Sequence, residues 1–231
     1  MIHVSVYPVC REDSQPLDSV SGGEAMVKFF AGKRYHEAMN FAAFAHRKQM
    51  RKGVDIPYII HPIECSMIVA SITEDEDVII AALLHDVIED TEYGYEEIKE
   101  RFGSRVAELV QGETEDKRRD QSKRRTWALR KKETIEQLKH AGRDSKIICL
   151  GDKLSNIRAS VIDHEDDREN FWQRFNQTDP EFQGWYYESI RDILSTELSD
   201  TDAWKEYDEL CTSLFGDLDL KEIEKRLDTE I

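Results

Sequence analysis

Apolar residues recur at three- and four-residue steps along most of the chain, which is the pattern of amphipathic helices. The first such segment covers residues 33–50, where the apolar positions fall on one helical face. Gly53 and Pro57 then predict a loop. The pair His61-Pro62 predicts the start of the next helix, because proline is well tolerated in the first helical turn.

The most apolar helix is predicted over residues 75–90. Its centre, residues 78–84, is apolar on every side, so we expect this helix to be buried in the middle of the fold. Thr73 and Glu76 have the spacing of a capping box and predict its beginning. Further helices are predicted at 95–101, 104–111, 123–140, 144–160, 166–175, 183–198, 202–214 and 217–228.

Strand patterns are nearly absent from the chain. Only IHVSVY at the N-terminus alternates between apolar and polar positions, and six residues cannot form a sheet alone. The sequence therefore predicts an all-α fold, a single helical bundle over residues 25–231 with a short peripheral arm over residues 1–24. Within the bundle we expect the core motifs in residues 33–162 and additional helices in residues 163–231.

Charge and composition exclude several classes of protein. The net charge is −16 over 231 residues, whereas a general nucleic-acid binder normally presents a basic surface. No apolar run approaches the length of a membrane span. The four cysteines form no closely spaced pair, which argues against a zinc knuckle or a disulfide framework and favours a reducing, cytoplasmic setting.

The acidic total conceals a basic segment. Between Lys117 and Lys132 nine basic residues accompany a single acid, Asp120, whereas residues 161–231 hold 21 acids against 7 bases. Lysines and arginines in an otherwise acidic protein can attract and neutralise a phosphorylated substrate. The alternative is a solvated helix whose cations, Arg124 to Lys132 above all, form surface ion pairs with the acidic C-terminal part.

Four ionisable residues follow the apolar centre of the predicted helix over residues 75–90. Residues four apart share a helical face, so we expect His85 above Glu89 and Asp86 above Asp90. Such groups are costly at the end of an apolar helix unless something compensates them. A divalent cation would do so, because imidazole and carboxylate are its common ligands. The alternative is a helix end with exposed acids and one hydrogen-bonded histidine.

Two other segments supply candidate metal ligands. His61 is fixed at the entrance of its helix, where it could instead act as a helix cap. Asp152 interrupts an apolar stretch, where it could instead form an ion pair with Lys153. Together with His85 and Asp86, these residues give two histidines and two aspartates from three predicted helices.

The motifs described so far resemble those of a known family. The strings AHRKQMRKGVDIPYIIHP, AALLHDVIEDT, FGSRVAELV and LGDKLSNIRAS occur in the order found in the HD hydrolase domain of the RelA/SpoT family. The likeness is greatest to the stand-alone small alarmone hydrolases, and FWQRFN…WYYESI resembles the C-terminal part of small bacterial members. The resemblance implies an Mn²⁺-dependent hydrolase that removes the 3′-pyrophosphate of ppGpp or pppGpp, giving GDP or GTP and pyrophosphate.

The resemblance also implies a role for individual residues. One Mn²⁺ would be bound by His61, His85, Asp86 and Asp152. The attacking water would be positioned and activated by Glu89 and Asp90. Substrate binding is implied for Arg51, Lys52, Lys117 and Asn156, with Lys117 near the pyrophosphates and the others near the nucleoside.

The sequence departs from the family pattern at two positions, where Gly151 replaces the usual alanine and Ser155 the usual histidine. Both adjoin candidate site residues and could shift the substrate preference. The resemblance also leaves an adenosine alarmone or the 2′-phosphate of NADPH as an alternative substrate, and a catalytically silent nucleotide-binding module is an alternative of another class. We interpret His46 as a buried, hydrogen-bonded histidine, and the aromatic cluster Trp185-Tyr186-Tyr187 as packing between the last helices.

Overall fold

The computed structural model describes residues 32–118 and 120–229, so the predicted N-terminal arm over residues 1–24 lies outside the described residues. The described part is helical and contains no strand, which confirms the all-α prediction; its one isolated bridge joins Met50 and Pro57. The helices are α1 (Lys33–Ala45), α2 (Ile60–Ala70), α3 (Glu76–Leu84), α4 (Val87–Asp90), α5 (Tyr95–Phe102), α6 (Ser104–Glu113), α7 (Trp127–His140), α8 (Arg143–Asp166), α9 (Pro180–Leu198), α10 (Asp202–Phe215) and α11 (Leu220–Asp228).

Helix α3 lies at the centre of the fold, as its apolar sequence predicts. Every residue from 78 to 84 is fully buried, and the helix packs against α1, α2, α6 and α8. A helix that is apolar on all sides is stable in water only when neighbours cover each side. The polar residues that follow Leu84 therefore start from the interior: His85 is buried, and Asp86, Glu89 and Asp90 are partly exposed.

Helix α8 is the longest helix and connects the two halves of the bundle. It packs against α2 and α3 on one side and against α9 and α10 on the other. Its contact with α2 is close at Gly151, where an added Cβ would lie 3.0 Å from the main-chain oxygen of Cys65 and 2.9 Å from Cγ2 of Val69. The glycine thus permits a separation of α2 and α8 that alanine would not.

The helices after residue 163 form a second layer on α7 and α8. Helix α9 packs against α7, α8, α10 and α11. Trp185 and Tyr186 are buried in this layer, which confirms the packing interpretation for these two rings. None of the helices in residues 32–118 and 120–229 is both long enough and apolar enough to cross a membrane.

Several predicted boundaries are wrong, each for a local reason. The helix predicted over residues 75–90 is two helices, because the chain turns at His85 and Asp86 between α3 and α4. Its N-cap is Asp75, whose side chain accepts from the amide of Asp77, so the Thr73–Glu76 capping box is not formed. The segment predicted as a helix at 166–175 contains only a 3₁₀ turn, Phe171–Arg174. Other corrected ends are those of α1, which stops at Ala45, and α8, which continues to Asp166.

Candidate active site

The two candidate histidines and two candidate aspartates converge on one point. The Nε2 atom of His61 lies 3.2 Å from Oδ1 of Asp152, and Nε2 of His85 lies 2.9 Å from Oδ2 of Asp86. The crossed distances, His61 to Asp86 and His85 to Asp152, are both 3.8 Å. We call these four residues the metal cluster. Three elements supply it: the first turn of α2, the α3–α4 turn, and the middle of α8.

The metal cluster fits a divalent cation. The Nδ1–H of His85 donates to the main-chain oxygen of Ala82 at 2.7 Å, since a carbonyl can only accept. In the neutral ring the other nitrogen, Nε2, then carries a lone pair, and this atom is buried without a hydrogen-bond partner. A buried imidazole lone pair facing carboxylate oxygens is the arrangement that metal coordination requires. His61, His85 and Asp86 each offer one ligand atom within 4.8 Å of the others.

The two aspartates of the cluster are held in their ionised form. Burial alone would raise the pKa of Asp86, but in the absence of a cation the positive charge of protonated His85, first of all, outweighs burial and holds that pKa below its usual range; a bound cation would replace that proton on Nε2. Burial likewise opposes ionisation of Asp152, and the ammonium of Lys153, 2.6 Å from Oδ2, is the first of the charges that keep its pKa low. The Asp152–Lys153 ion pair and the contact of Asp152 with the two histidines therefore coexist, since each uses a different carboxylate oxygen.

Tyr58 is a site residue that sequence reasoning missed. Its hydroxyl donates to Oδ2 of Asp86, and its ring lies against those of His46 and His61. Burial and the charge of Asp86 raise the pKa of Tyr58, so the phenol stays protonated and remains a donor. Its position three residues before His61, at the start of a helix, was the signal that could have found it.

Glu89 and Asp90 lie beside the metal cluster and share a counter-ion. Nζ of Lys117 is 3.0 Å from Oε1 of Glu89 and forms an ion pair with Asp90 as well. The amide of Glu115 donates to Oε2 of Glu89 at 2.8 Å. Burial and the nearby charge of Asp86 raise the pKa of Glu89, and Lys117 opposes that rise. Oxygens of Asp86, Glu89 and Asp90 lie within 4.8 Å of one another, so the acidic pair adjoins the metal cluster directly.

A cleft of about 160 Å³ opens next to Asp152 and contains three of the predicted nucleoside-binding residues. Nη2 of Arg51 donates to Oδ1 of Asn156 at 3.3 Å, and Nδ2 of Asn156 donates to Oδ1 of Asp152 at 2.5 Å. The cleft is lined by Arg51, Lys52, Tyr58, Asn156, Phe175 and Tyr187, among others. Planar aromatic and guanidinium groups of this kind stack favourably on a purine.

The cations at residues 130–132 of the basic segment are paired within the protein. Arg130 and Lys131 contact the carboxylate of Glu115 at 2.9 and 3.2 Å. Lys132 pairs with Asp228 on α11, which is the ion pair with the acidic C-terminal part that the sequence left open as an alternative. These cations therefore support the fold in the structure, whereas Lys117 contacts the acidic pair beside the metal cluster.

His46 is buried, and its Nδ1 lies 2.8 Å from Oε1 of Gln49, which confirms its interpretation as a hydrogen-bonded histidine. The amide of Gln49 in turn donates to the main-chain oxygen of Asp90 at 2.6 Å. The loop that carries Arg51 and Lys52 is thereby attached to the segment that carries Asp90.

A model of the family described as HD domain matches residues 38–177 of this chain. Among curated proteins, the guanosine-3′,5′-bis(diphosphate) 3′-pyrophosphohydrolase MESH1 of Danio rerio is 42% identical over 125 residues, which are 53% of this chain and 66% of that protein. MESH1 of Drosophila melanogaster is 38% identical over 132 residues, 56% of this chain and 70% of that protein. The chain thus spans about two thirds of the length of these relatives.

Two solved structures resemble this fold. A metazoan orthologue of SpoT that hydrolyses ppGpp matches with a TM-score of 0.61 and 28% identity, covering 79% of this chain and 96% of that one. A protein of Listeria monocytogenes EGD-e matches with a TM-score of 0.59 and 30% identity, covering 70% of this chain and 97% of that one.

Proposed function

Because this chain belongs to the HD domain family, we propose that it is a metal-dependent pyrophosphohydrolase that removes the 3′-pyrophosphate of ppGpp or pppGpp. The products would be GDP or GTP and pyrophosphate. Curated relatives named for this activity, and a similar structure of an orthologue that hydrolyses ppGpp, support the substrate. The observation that carries the proposal is that the metal cluster adjoins both a lysine-bound acidic pair and a cleft of about 160 Å³ that contains Arg51 and Asn156.

We propose Mn²⁺ as the cation, held by His61, His85, Asp86 and Asp152. Two imidazoles and two carboxylates suit Mn²⁺, Fe²⁺, Co²⁺ and Zn²⁺ alike, and the family resemblance selects Mn²⁺ among them. When bound, the cation would offset negative charge on the phosphoryl oxygens and make a nearby water easier to deprotonate. Tyr58 would keep the carboxylate of Asp86 turned toward the histidines.

Glu89 and Asp90 would hold the attacking water and accept its proton. Both carboxylates are partly exposed, at 15% and 30% of the side chain, so that water can reach them. Lys117 would favour the ionised form of Glu89 between turnovers and would face the pyrophosphate as it arrives. The attack would break the bond between the ribose 3′-oxygen and phosphorus, which separates pyrophosphate from the nucleotide.

Arg51 and Asn156 would hold the nucleoside end of the substrate. Asn156 is hydrogen-bonded to both Arg51 and Asp152, so the nucleoside cleft and the metal cluster share one rigid residue. Lys52, whose Nζ lies 5.7 Å from the ring centre of Phe175, would cover the open side of the cleft. Such positioning sets the distance between the 3′-phosphorus and the attacking water.

Chromatography of the purified protein incubated with Mn²⁺ and ppGpp tests the proposal. We expect GDP and pyrophosphate in equal amounts, and no product when a chelator is present. An adenosine alarmone and NADPH, offered under the same conditions, are the competing substrates. Turnover of either in preference to ppGpp would replace the guanosine substrate while keeping the chemistry, whereas tight binding of ppGpp without product at any metal would leave only a nucleotide-binding module.

A further inference from the structure

The ring nitrogen of His61 that points away from the metal cluster is hydrogen-bonded to a serine. This nitrogen, Nδ1, lies 2.8 Å from Oγ of Ser155, a fully buried residue on α8 three positions after Asp152. The corresponding nitrogen of His85 is held by a main-chain carbonyl, which no side-chain substitution removes. Of the two histidines in the metal cluster, His61 is therefore the one whose ring orientation depends on another side chain.

The direction of these hydrogen bonds determines the tautomer of His61. The hydroxyl of Ser155 lies 2.8 Å from Oε2 of Glu64 and donates its single hydrogen there, because a carboxylate can only accept. The Ser155 oxygen then accepts from Nδ1–H of His61, so that Nε2 carries the lone pair. That lone pair is the one that faces Asp152 and Asp86.

Glu64 is itself fixed in place from the other side. Its Oε1 accepts from Nη1 of Arg158 at 3.0 Å, and Arg158 also forms a two-pronged pair with Glu206 on α10, at 2.7 and 2.5 Å. A carboxylate bound in this way keeps a defined position, and it holds the hydroxyl of Ser155 in one orientation. Ser155 occupies the position where the family resemblance leads us to expect histidine, and the shorter side chain leaves room for Glu64 to take part.

We propose that Ser155 and Glu64 are positioning residues that hold His61 in its Nδ1–H tautomer with Nε2 toward the cation, and that they thereby set the metal affinity of the site. The inference rests on the proposed metal cluster but not on the identity of the substrate. Hydrogen bonds to the outer nitrogen of a metal-bound histidine fix its orientation and its basicity, and their loss typically weakens metal binding by about 10- to 100-fold.

Titration of the chelator-treated protein with Mn²⁺ alone, followed by the spin-resonance signal of free Mn²⁺, measures this affinity directly. We expect Ser155→Ala to raise the Kd for Mn²⁺ by about 10- to 100-fold. Ser66→Ala is the matched control, because Ser66 is an equally buried serine on α2 that bonds to Tyr35 and to the main-chain oxygen of Ile63, away from the cluster. It should lower the Tm and leave the Kd unchanged.

A second pair of variants tests the same positioning role and can be used if Ser155→Ala does not fold. Glu64→Gln retains the size of a half-exposed side chain, but its amide can donate to Ser155 and turn the hydroxyl toward Nδ1, which favours the wrong tautomer of His61. We expect this variant to raise the Kd, and Glu206→Gln, at the far end of the same network, to leave it unchanged.

The outcomes separate this inference from the proposed function. An unchanged Kd in Glu64→Gln or Ser155→Ala would overturn the positioning role while the metal cluster stands. An equal rise in Ser66→Ala would also overturn it, since general destabilisation would then be the cause. If the unsubstituted protein bound no Mn²⁺, both this inference and the proposed cofactor would be wrong, whatever the substrate.

Discussion

Two neighbouring groups of carboxylates in this protein face different kinds of side chain. In the metal cluster, Asp86 and Asp152 face the Nε2 atoms of two histidines whose other nitrogens are already hydrogen-bonded. In the adjoining acidic pair, Glu89 and Asp90 face the ammonium of Lys117. The first group leaves inward lone pairs for a cation from solution, and its lysine, Lys153, pairs with the other oxygen of Asp152, whereas in the second group the ammonium of Lys117 faces both carboxylates.

The residues of these two groups also differ in their exposure to solvent. The side chains of His61 and His85 are 2% and 4% exposed, so the centre of the metal cluster is shielded from solvent. Among the carboxylates, Asp90 is the most exposed, at 30% of its side chain, whereas Glu89, at 15%, is about as exposed as Asp86 and Asp152 of the metal cluster, at 16% and 15%. Buried imidazoles favour tight coordination of a cation, and the exposure of Asp90 favours exchange of water and protons. Substitutions in the metal cluster should therefore reduce metal binding, whereas substitutions in the acidic pair should reduce turnover.

Asp86→Ala should have the largest effect, because it removes a carboxylate 2.9 Å from Nε2 of His85 and leaves the hydroxyl of Tyr58 without its acceptor. We expect it to abolish Mn²⁺ binding and activity together. Elemental analysis after gel filtration measures the metal, and Asp202→Ala, which removes an exposed carboxylate on α10, is the control. A variant that retains a full equivalent of Mn²⁺ would show that Asp86 is not a ligand.

Glu89→Gln should separate the two groups most clearly. The amide keeps the size of the side chain but cannot accept a proton, so we expect kcat to fall about 10²- to 10⁴-fold, the usual contribution of general-base catalysis. Metal content and KM should change little, as for an interaction made only in the transition state. Loss of the metal would make Glu89 a ligand, and normal turnover would assign the proton to Asp90 or to the cation alone.

The sequence predicted the parts of this comparison that depend on local pattern. The all-apolar stretch over residues 78–84 marked the buried helix, and His85 directly after it is buried as well. The juxtaposition of His61, His85, Asp86 and Asp152 followed from the family resemblance, and the distances agree with it. Their roles in binding Mn²⁺ remain predictions.

Contacts between distant residues were not predictable in the same way. Lys117 pairs with carboxylates 27 and 28 residues earlier, and Tyr58 bonds to Asp86 across 28 residues, so both depend on how helices pack. The turn at His85 and Asp86 was also missed, because periodicity over residues 75–90 is continuous although the backbone is not. The resemblance placed Lys117 near the pyrophosphates and did not indicate its ion pairs.

Lys117→Met tests whether the ammonium that faces the acidic pair governs the pH dependence of kcat/KM. The ammonium, 3.0 Å from Glu89, favours the ionised carboxylate, so its removal should raise the pKa of Glu89 further above its ordinary value. The acid limb of kcat/KM, where the base becomes protonated, should then move to higher pH. Lys132→Met, from the same basic segment but paired with Asp228, should leave the profile unchanged. An unmoved limb in Lys117→Met would mean that this lysine does not govern the base.

Gly151→Ala should have the smallest effect and should act on the metal cluster alone. An added Cβ would lie 3.0 Å from the main-chain oxygen of Cys65, so α2 and α8 must separate by a few tenths of an ångström. Because His61 is on α2 and Asp152 on α8, their 3.2 Å contact should lengthen. We expect a lower Tm and a modestly higher Kd for Mn²⁺, with the pH profile set by Glu89 unchanged.

Gly112→Ala, in α6, provides the comparison that isolates this close approach. Its Cβ would meet only Oγ of Ser145, at 3.9 Å, which is ordinary contact. Replacing glycine by alanine inside a helix contributes about 0.5–1 kcal/mol to stability when nothing collides, so Gly112→Ala should raise the Tm. The two substitutions are chemically identical, and opposite signs of the Tm change would show that helix packing outweighs helix propensity at Gly151. A rise in both would mean that α2 yields without cost, and the contact at Gly151 would not be what holds His61 and Asp152 together.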